Sequence, residues 1–340
     1  MASPGIFGFL YSQYFVKPPI PSSDLTGQTL IITGSNVGLG FEAARHIARL
    51  RPSRLILAVR TLSKGESARS QILGDDRVDS SKTDISVWQL DMSNFKSCLS
   101  FADRCDKELD RIDGVSLNAG IQMTRYEANE GFESTIAVNV VSTFLLTMLL
   151  LPTLQRSARK HGIIPCLSIV GSETHAWAPF KEKSTPPGQS ILKVMSDPKV
   201  PVTQARYMDS KLMQLLIFRH LHNRIESTSR MGTCKVTMNT VTPGFCYSTL
   251  GRDGSRAKDA ARWLIARSQE MGGRPVAAGL LAGPETDGMY LRDGLYVPDK
   301  AENSLSAYVR SAEGEATGKR LWQECREVFE GVRPGICEEL

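Results

Sequence analysis

Six short runs rich in aliphatic and β-branched residues recur between residues 29 and 241, and a stretch of helical character separates most of them from the next. They read TLIIT (29–33), RLILAV (54–59), SVWQL (86–90), GVSLN (114–118), PCLSIV (165–170) and KVTMNTV (235–241), with a short last candidate at GMYL (288–291). Apolar runs of strand length alternating with helices predict βαβ units, and hence a parallel sheet covered by its crossover helices. The longest helical stretch, from about 131 to 160, contains LLTMLLLPTL and is apolar on nearly every side. The LLTMLLLPTL run itself is too short and too punctuated for a bilayer span, and a buried crossover helix suits it better. No internal repeat, low-complexity segment or composition break marks a second domain.

Charge narrows the function classes. The 41 basic and 36 acidic residues leave a net charge of +5 with no run of five or six like charges, so a nucleic-acid tail or a polybasic membrane patch is not expected. The seven cysteines, at 98, 105, 166, 234, 246, 325 and 337, form no C-x-x-C pair. They suggest neither a disulfide framework nor a zinc site, and they fit a reducing, cytoplasmic compartment. His220 and His222 point to different sides of their helix, so no metal is expected. At the N-terminus, MASPGIFGFLYSQYFVKPPIP is an apolar stretch broken by Ser12 and Gln13, without a basic n-region or a cleavage site. It reads as an arm packed on the domain; contact with a membrane surface or a partner is the minority reading.

Glycines punctuate the first strand–helix junction, where TGSNVGLG (33–40) leads into FEAARHIARL. Such a turn lets backbone N–H groups and a helix N-terminus face a pyrophosphate without side-chain obstruction. The spacing is G-x-x-x-G-x-G rather than G-x-G-x-x-G, so on these residues alone a purely structural turn stays open. After the second strand, LAVRTLSKG carries Arg60 and Lys64 and no acid. A carboxylate there would take a ribose 2′-hydroxyl, whereas a guanidinium suits a 2′-phosphate and favours NADP over NAD. The alternative is an arginine that only caps the strand in solvent. Tyr207 and Lys211, in ARYMDSKLMQLL, stand one helical turn apart on one face. By spacing alone they also read as rim positions of an amphipathic helix whose core face is Leu212, Leu215, Leu216 and Phe218.

Taken in order, these residues closely resemble the short-chain dehydrogenase/reductase family. The marks are TGSNVGLG, LDM with Asp91, NAG at 118–120, Asn139, SIVGS ending in Ser172, YMDSK at 207–211 and PG at 243–244, and they span about Leu30 to Leu250. The nearer resemblance is to retinol-dehydrogenase-like and fungal specialised-metabolism members. It implies an α/β fold: one Rossmann-type domain over 27–310 with a doubly wound parallel sheet in the order 3-2-1-4-5-6-7, an N-terminal arm over 1–26 and a C-terminal helical tail over 311–340. It implies NADP(H) held by Thr33, Gly34, Ser35, Asn36, Gly38, Leu39, Gly40, Arg60, Lys64, Asp91, Met92, Asn118, Ala119, Gly120, Tyr207, Lys211, Pro243, Gly244 and Ser248.

The resemblance also implies roles. Tyr207 would be the general acid/base; a free phenol titrates near 10, and Lys211 would supply the positive charge that makes it a base near neutrality. Ser172 would hydrogen-bond the substrate oxygen, and Asn139 would anchor a proton-relay water. Asp91 would contact the adenine, Asn118 would brace the central strands, and Thr33 would tie the glycine loop to a neighbouring strand. One departure from the family is the 35 positions from Ser172 to Tyr207, which place roughly twenty extra residues at the substrate mouth. That insertion (175–204) and the region 251–287 are the expected substrate side. His175, Trp177, Phe245 and Tyr247 are candidate substrate residues, with Phe180, Met195 and Trp263 completing an apolar pocket. For His175 a buried turn position is an equal alternative. In the insertion, Trp177, Phe180, Ile191, Leu192 and Met195 would cover an apolar substrate. The expected activity is NADPH-dependent reduction of a ketone or aldehyde on a lipophilic small molecule. Imine or cyclisation chemistry on the same scaffold and an NADP(H)-sensing binding protein stay as alternatives. Relatives often pair through the helices bearing Asn139 and Tyr207, so a homodimer is one option for the assembly.

Overall fold

The computed structural model describes residues 6–229, 235–247, 265–295 and 304–338. Its main sheet has seven strands, all parallel: β1 (Thr29–Thr33), β2 (Arg54–Val59), β3 (Asp84–Gln89), β4 (Gly114–Leu117), β5 (Cys166–Val170), β6 (Thr237–Thr242) and β7 (Tyr290–Arg292). In this numbering their spatial order is 3-2-1-4-5-6-7. The order reverses beside β1, which pairs with β2 on one side and β4 on the other. Such a switch point leaves a crevice at the carboxyl ends of the strands, where open α/β sheets bind ligands.

The strands are buried on both faces, as a doubly wound sheet demands. Along β1, Ile31 joins one core while Leu30 and Ile32 join the other, because successive side chains alternate across the sheet. The longer helices among the described residues are α1 (Ile6–Phe15), α2 (Gly38–Ala48), α3 (Leu62–Leu73), α4 (Phe95–Glu108), α5 (Ser134–His161), α6 (Gln204–Ser229), α7 (Gln269–Leu280) and α8 (Ala312–Val332). The core around Leu30 and Ile32 includes α2, α3 and α7; the larger core includes α4, α5, α6 and α8. Helix α5 is long and apolar enough to cross a membrane, yet its most apolar window is wholly buried inside the fold. It is the crossover between β4 and β5. Within it, Ala137–Ser142 forms a π-helical stretch carrying Asn139, the kind of local widening that often accompanies functional sites.

One segment differs from the sequence-based expectation. Phe180, Ile191, Leu192 and Met195 of the insertion do not hang over the cleft: each is at most 1% exposed and belongs to the larger core. The cause lies at the C-terminus. Glu324 of α8 accepts hydrogen bonds from Ser190 Oγ (2.7 Å), Ile191 N (2.9 Å) and Leu192 N (2.9 Å), capping the short helix Ile191–Met195. Arg320 holds the carbonyls of Thr185, Pro186 and Gln189. The insertion is thus pinned between α8 and the domain. Helix α8 also lies along α6, with Leu321, Trp322, Cys325 and Phe329 in the same core as Leu212, Leu216 and Leu221. A face of the Tyr207 helix is therefore covered from within the chain.

Candidate active site

The glycine loop opens the crevice at the end of β1. Gly34 and Gly38 adopt φ of 65° and 66°, and a Cβ on Gly38 would meet nothing within 4 Å, so its backbone faces open space. Gly40 is constrained by contact instead: a Cβ there would lie 2.3 Å from Asn118 Nδ2 and 2.5 Å from Gly34 O. Val37, at the N-cap of α2, gives the helix no side-chain cap. The first N–H groups of α2 therefore point into the crevice without a side-chain partner from the cap, as an anion cradle requires. Thr33 Oγ1 accepts from Ala119 N (2.9 Å), and Asn118 Nδ2 donates to Thr33 O (2.9 Å), fastening the loop to the end of β4.

Along the crevice toward β3, Arg60 and Lys64 are exposed at the end of β2 and the start of α3. Asp91 accepts from Ser93 N (2.9 Å) and Ser93 Oγ (2.7 Å), and Met92 is buried beside it. Asn36 and Leu39 are half-buried on the loop surface. Ser35, another candidate cofactor residue, turns its side chain inward. It is fully buried and donates to Ile32 O (2.9 Å), so it shapes the turn.

The chemical groups gather at the other end. Ser172 follows β5, and Tyr207 and Lys211 project from α6. Lys211 is buried, donates to Val170 O at 2.8 Å, and places Nζ 5.7 Å from the centre of the Tyr207 ring. Ser172 lies beside the Tyr207 hydroxyl and favours its ionised form. Its Oγ also accepts from Thr174 N (3.3 Å) and Thr174 Oγ1 (2.9 Å), which leaves its own proton to donate forward. Burial pushes the Tyr207 phenol up to about 12 and the Lys211 ammonium down to about 7. Desolvation works against charge on both groups, and each charge is the natural compensation for the other.

Asn139 is placed as a brace. Its Oδ1 accepts from Ile121 N (2.9 Å), and its Nδ2 donates to Ile121 O (2.8 Å) and Ser210 Oγ (3.0 Å). Its carbonyl accepts from Gln214 Nε2 at 2.5 Å. These bonds hold the loop after Gly120 against α6. A Cβ on Gly120 would sit 3.3 Å from Asn139 Oδ1 and 3.8 Å from Lys211 Nζ.

Of the substrate candidates, Trp177 and Tyr247 are exposed, 41% and 45%, and Phe245 is half-buried beside Pro243 and Gly244. His175 takes the buried turn position: its Nδ1 lies 2.8 Å from Ser172 O, and its Nε2 accepts the Ser306 N–H at 3.3 Å. Both ring nitrogens are engaged by backbone, and burial lowers its pKa to about 4. Phe180 and Met195 are core residues rather than pocket walls. Ser248 and Trp263 lie outside the described residues, as does all of 251–264. Sequence reasoning missed Thr174, Ser210 and Gln214. It also missed Gln13, Arg267 and Asp293, which hold the Pro243–Phe245 turn from behind. Only Gln13 left a signal, as a polar break in an apolar run.

Comparison with known proteins agrees with this geometry. A family model described as short chain dehydrogenase matches residues 28–180. The chain is 42% identical to a short-chain dehydrogenase of Penicillium roqueforti, covering 98% of this chain and 86% of that protein. It is 38% identical to a short chain dehydrogenase/reductase of Cryptosporiopsis, covering 97% and 98%. Among solved structures, an uncharacterised protein from Mycobacterium paratuberculosis superposes with a TM-score of 0.63 at 22% identity, covering 92% of this chain and 96% of that one. At that identity the likeness speaks for the fold alone.

Proposed function

Because the chain belongs to the short-chain dehydrogenase/reductase family, whose members are oxidoreductases using NAD(P)(H), we propose that it interconverts a ketone or aldehyde with the corresponding alcohol on a lipophilic small molecule, using NADP(H). The observation that carries this reading is the convergence of Ser172, Tyr207 and Lys211 at the crevice end opposite Arg60. The glycine cradle and the uncapped N-terminus of α2 fit a pyrophosphate, and Arg60 and Lys64 fit a 2′-phosphate. When bound, the nicotinamide supplies or takes up hydride.

The chain's own residues move the proton. Ser172, its lone pairs engaged by Thr174, donates a hydrogen bond to the substrate oxygen and fixes where it lies. Tyr207 gives its phenolic proton to that oxygen as negative charge develops on it. The phenolate left behind would be costly in this buried place, and the Lys211 ammonium, one helical turn away, offsets it. In alcohol oxidation the same groups run in reverse. Asn139, through Ile121 and Ser210, keeps the floor of the site from shifting.

Trp177, Phe245 and Tyr247 at the mouth support an apolar substrate, and the fungal relatives support one from specialised metabolism. Six free cysteines among the described residues suit a cytoplasmic setting. The test follows NADPH absorbance against a panel of lipophilic ketones and aldehydes, with Tyr207→Phe as the control. That variant removes one hydroxyl and little volume. It should fold and bind NADPH while turnover falls at least ~10²-fold. Retained turnover in Tyr207→Phe would refute the assignment.

A further inference from the structure

The N-terminal helix α1 lies outside the family motifs and takes no part in the proton chemistry, yet it is built into the cleft. Ser12 and Gln13, the polar residues that interrupt its apolar run, are 2% and 6% exposed. Gln13 clamps one residue from both sides: its Nε2 donates to Phe245 O (2.8 Å) and its Oε1 accepts from Phe245 N (2.9 Å). Ser12 Oγ donates to Asp293 Oδ2 (2.6 Å). Buried Arg267 pairs with Asp293 and donates to Ser12 O (2.7 Å), Val16 O (2.9 Å) and Pro243 O (3.3 Å). Arg292 donates to Gly8 O (2.9 Å) and pairs with Glu173 (2.6 Å), the residue after Ser172. Helix α1 thus holds both lips of the cleft, the one that follows Ser172 and the one that carries Pro243 and Gly244.

The ring that α1 presents to these lips is Phe9. Its centroid is 5.3 Å from that of Trp177 and 6.4 Å from that of Phe245, edge-on to both. The three rings form no closed core: Phe9 and Phe245 are half-buried and Trp177 is 41% exposed. Edge-to-face clusters of this kind leave aromatic surface on which a further flat ring packs favourably. Tyr11 and Phe15, by contrast, stack on each other at 5.4 Å on the solvent side of the helix, 63% and 74% exposed. Positions 9 and 11 face nearly opposite directions on a helix.

Resting on the reductase reading above, we propose that α1 is a fixed wall of the substrate mouth and that Phe9, with Trp177 and Phe245, seats a flat apolar ring system attached to the reacting carbonyl. Phe9 is then a specificity-determining residue supplied from outside the nucleotide-binding fold. Because the buried clamps hold the wall before substrate arrives, little ordering is lost on binding.

The test uses the full-length protein and two probes, 2-acetylnaphthalene and propanal. Calorimetry measures 2-acetylnaphthalene binding to the wild type, Phe9→Ala and Tyr11→Ala without turnover, and melting temperatures check folding. Phe9→Ala should weaken binding about tenfold and raise KM for the naphthyl ketone to match, with kcat and the KM for propanal little changed. Tyr11→Ala, on the outer face of the same helix, should bind as the wild type does. Wild-type-like binding by Phe9→Ala overturns the proposal, as does an equal loss in Tyr11→Ala, an equal effect on propanal, or a wild type that does not bind the ketone. Binding that depends on Phe9 without turnover of any carbonyl would refute the reductase reading and leave the seat standing.

Discussion

Replacing Lys211 by Met should stabilise the nucleotide-free protein while ending its activity. Lys211 is 4% exposed, and burial alone lowers its pKa to about 7 from the ordinary 10.5. Above pH 7 the folded protein has released a proton that the unfolded chain keeps until about 10.5, so the unfolded state binds more protons and stability rises with pH across that window. The penalty is therefore complete below pH 7 and gone above about 10.5; at about 1.4 kcal/mol per pH unit it amounts to roughly 5 kcal/mol. Methionine keeps most of the volume and removes the ammonium, but it leaves the Val170 carbonyl unpaired at a cost of about 1–3 kcal/mol. The net gain near pH 6.5 is then about 2–4 kcal/mol. For 340 residues the unfolding entropy is roughly 0.7 kcal/mol/K, so the melting temperature should rise by about 3–6 °C. At pH 9.5 the gain should vanish or reverse. Differential scanning calorimetry of wild type and Lys211→Met at both pH values reads this directly. A variant less stable than wild type at pH 6.5, or equally stabilised at both, would refute the account of a buried ammonium held against its solvation.

Two further outcomes follow from contacts described above. Arg60→Asp should remove most of the melting-temperature rise given by NADPH and spare that given by NADH at equal concentration; an unchanged NADPH preference would place 2′-phosphate recognition elsewhere. Glu324→Ala should lower stability by about 2–4 kcal/mol, because Ile191 N and Leu192 N lose a charged acceptor in a half-buried place. That is a fall of about 3–6 °C with NADPH affinity kept; an unchanged melting temperature would mean the insertion is held by its apolar residues alone.

The strands were legible because their information is local. TLIIT and RLILAV carry both the composition and the length of β1 and β2, and the order of the sheet follows from the family motifs between them. Other boundaries moved by a residue or two: the third strand begins at Asp84 rather than Ser86, extended by pairing with Arg54 and Leu55. The tyrosine, lysine and serine were legible for the same reason as the fold, through motifs at fixed places on regular elements. What could not be read was set by distant partners. Phe180, Ile191 and Met195 look like lid residues until α8 arrives to bury them, and α8 leaves no mark in their own neighbourhood of the sequence. His175 looks available until Ser306 takes its second nitrogen. Pairing between chains through α6, one option from the sequence, meets a helix already covered on one face by α8. Ser12 and Gln13 look like defects in an apolar run because their bonds are to residues more than two hundred positions away.

Those distances set a timetable for the chain as it leaves the ribosome. Helix α1 is made long before anything it binds: Phe245 follows Gln13 by 232 positions, Asp293 follows Ser12 by 281, and Arg292 follows Gly8 by 284. At synthesis rates of about 5–20 residues per second, the helix waits roughly 15–60 s before its partners emerge. Throughout that interval its apolar side has no cleft to enter, while the sheet strands from β1 to β5 can already pair behind it. The mouth of the site is thus closed late, by segments made more than two hundred residues apart. Delay or loss in expression should respond to changes in these ten residues more strongly than their share of the finished core suggests.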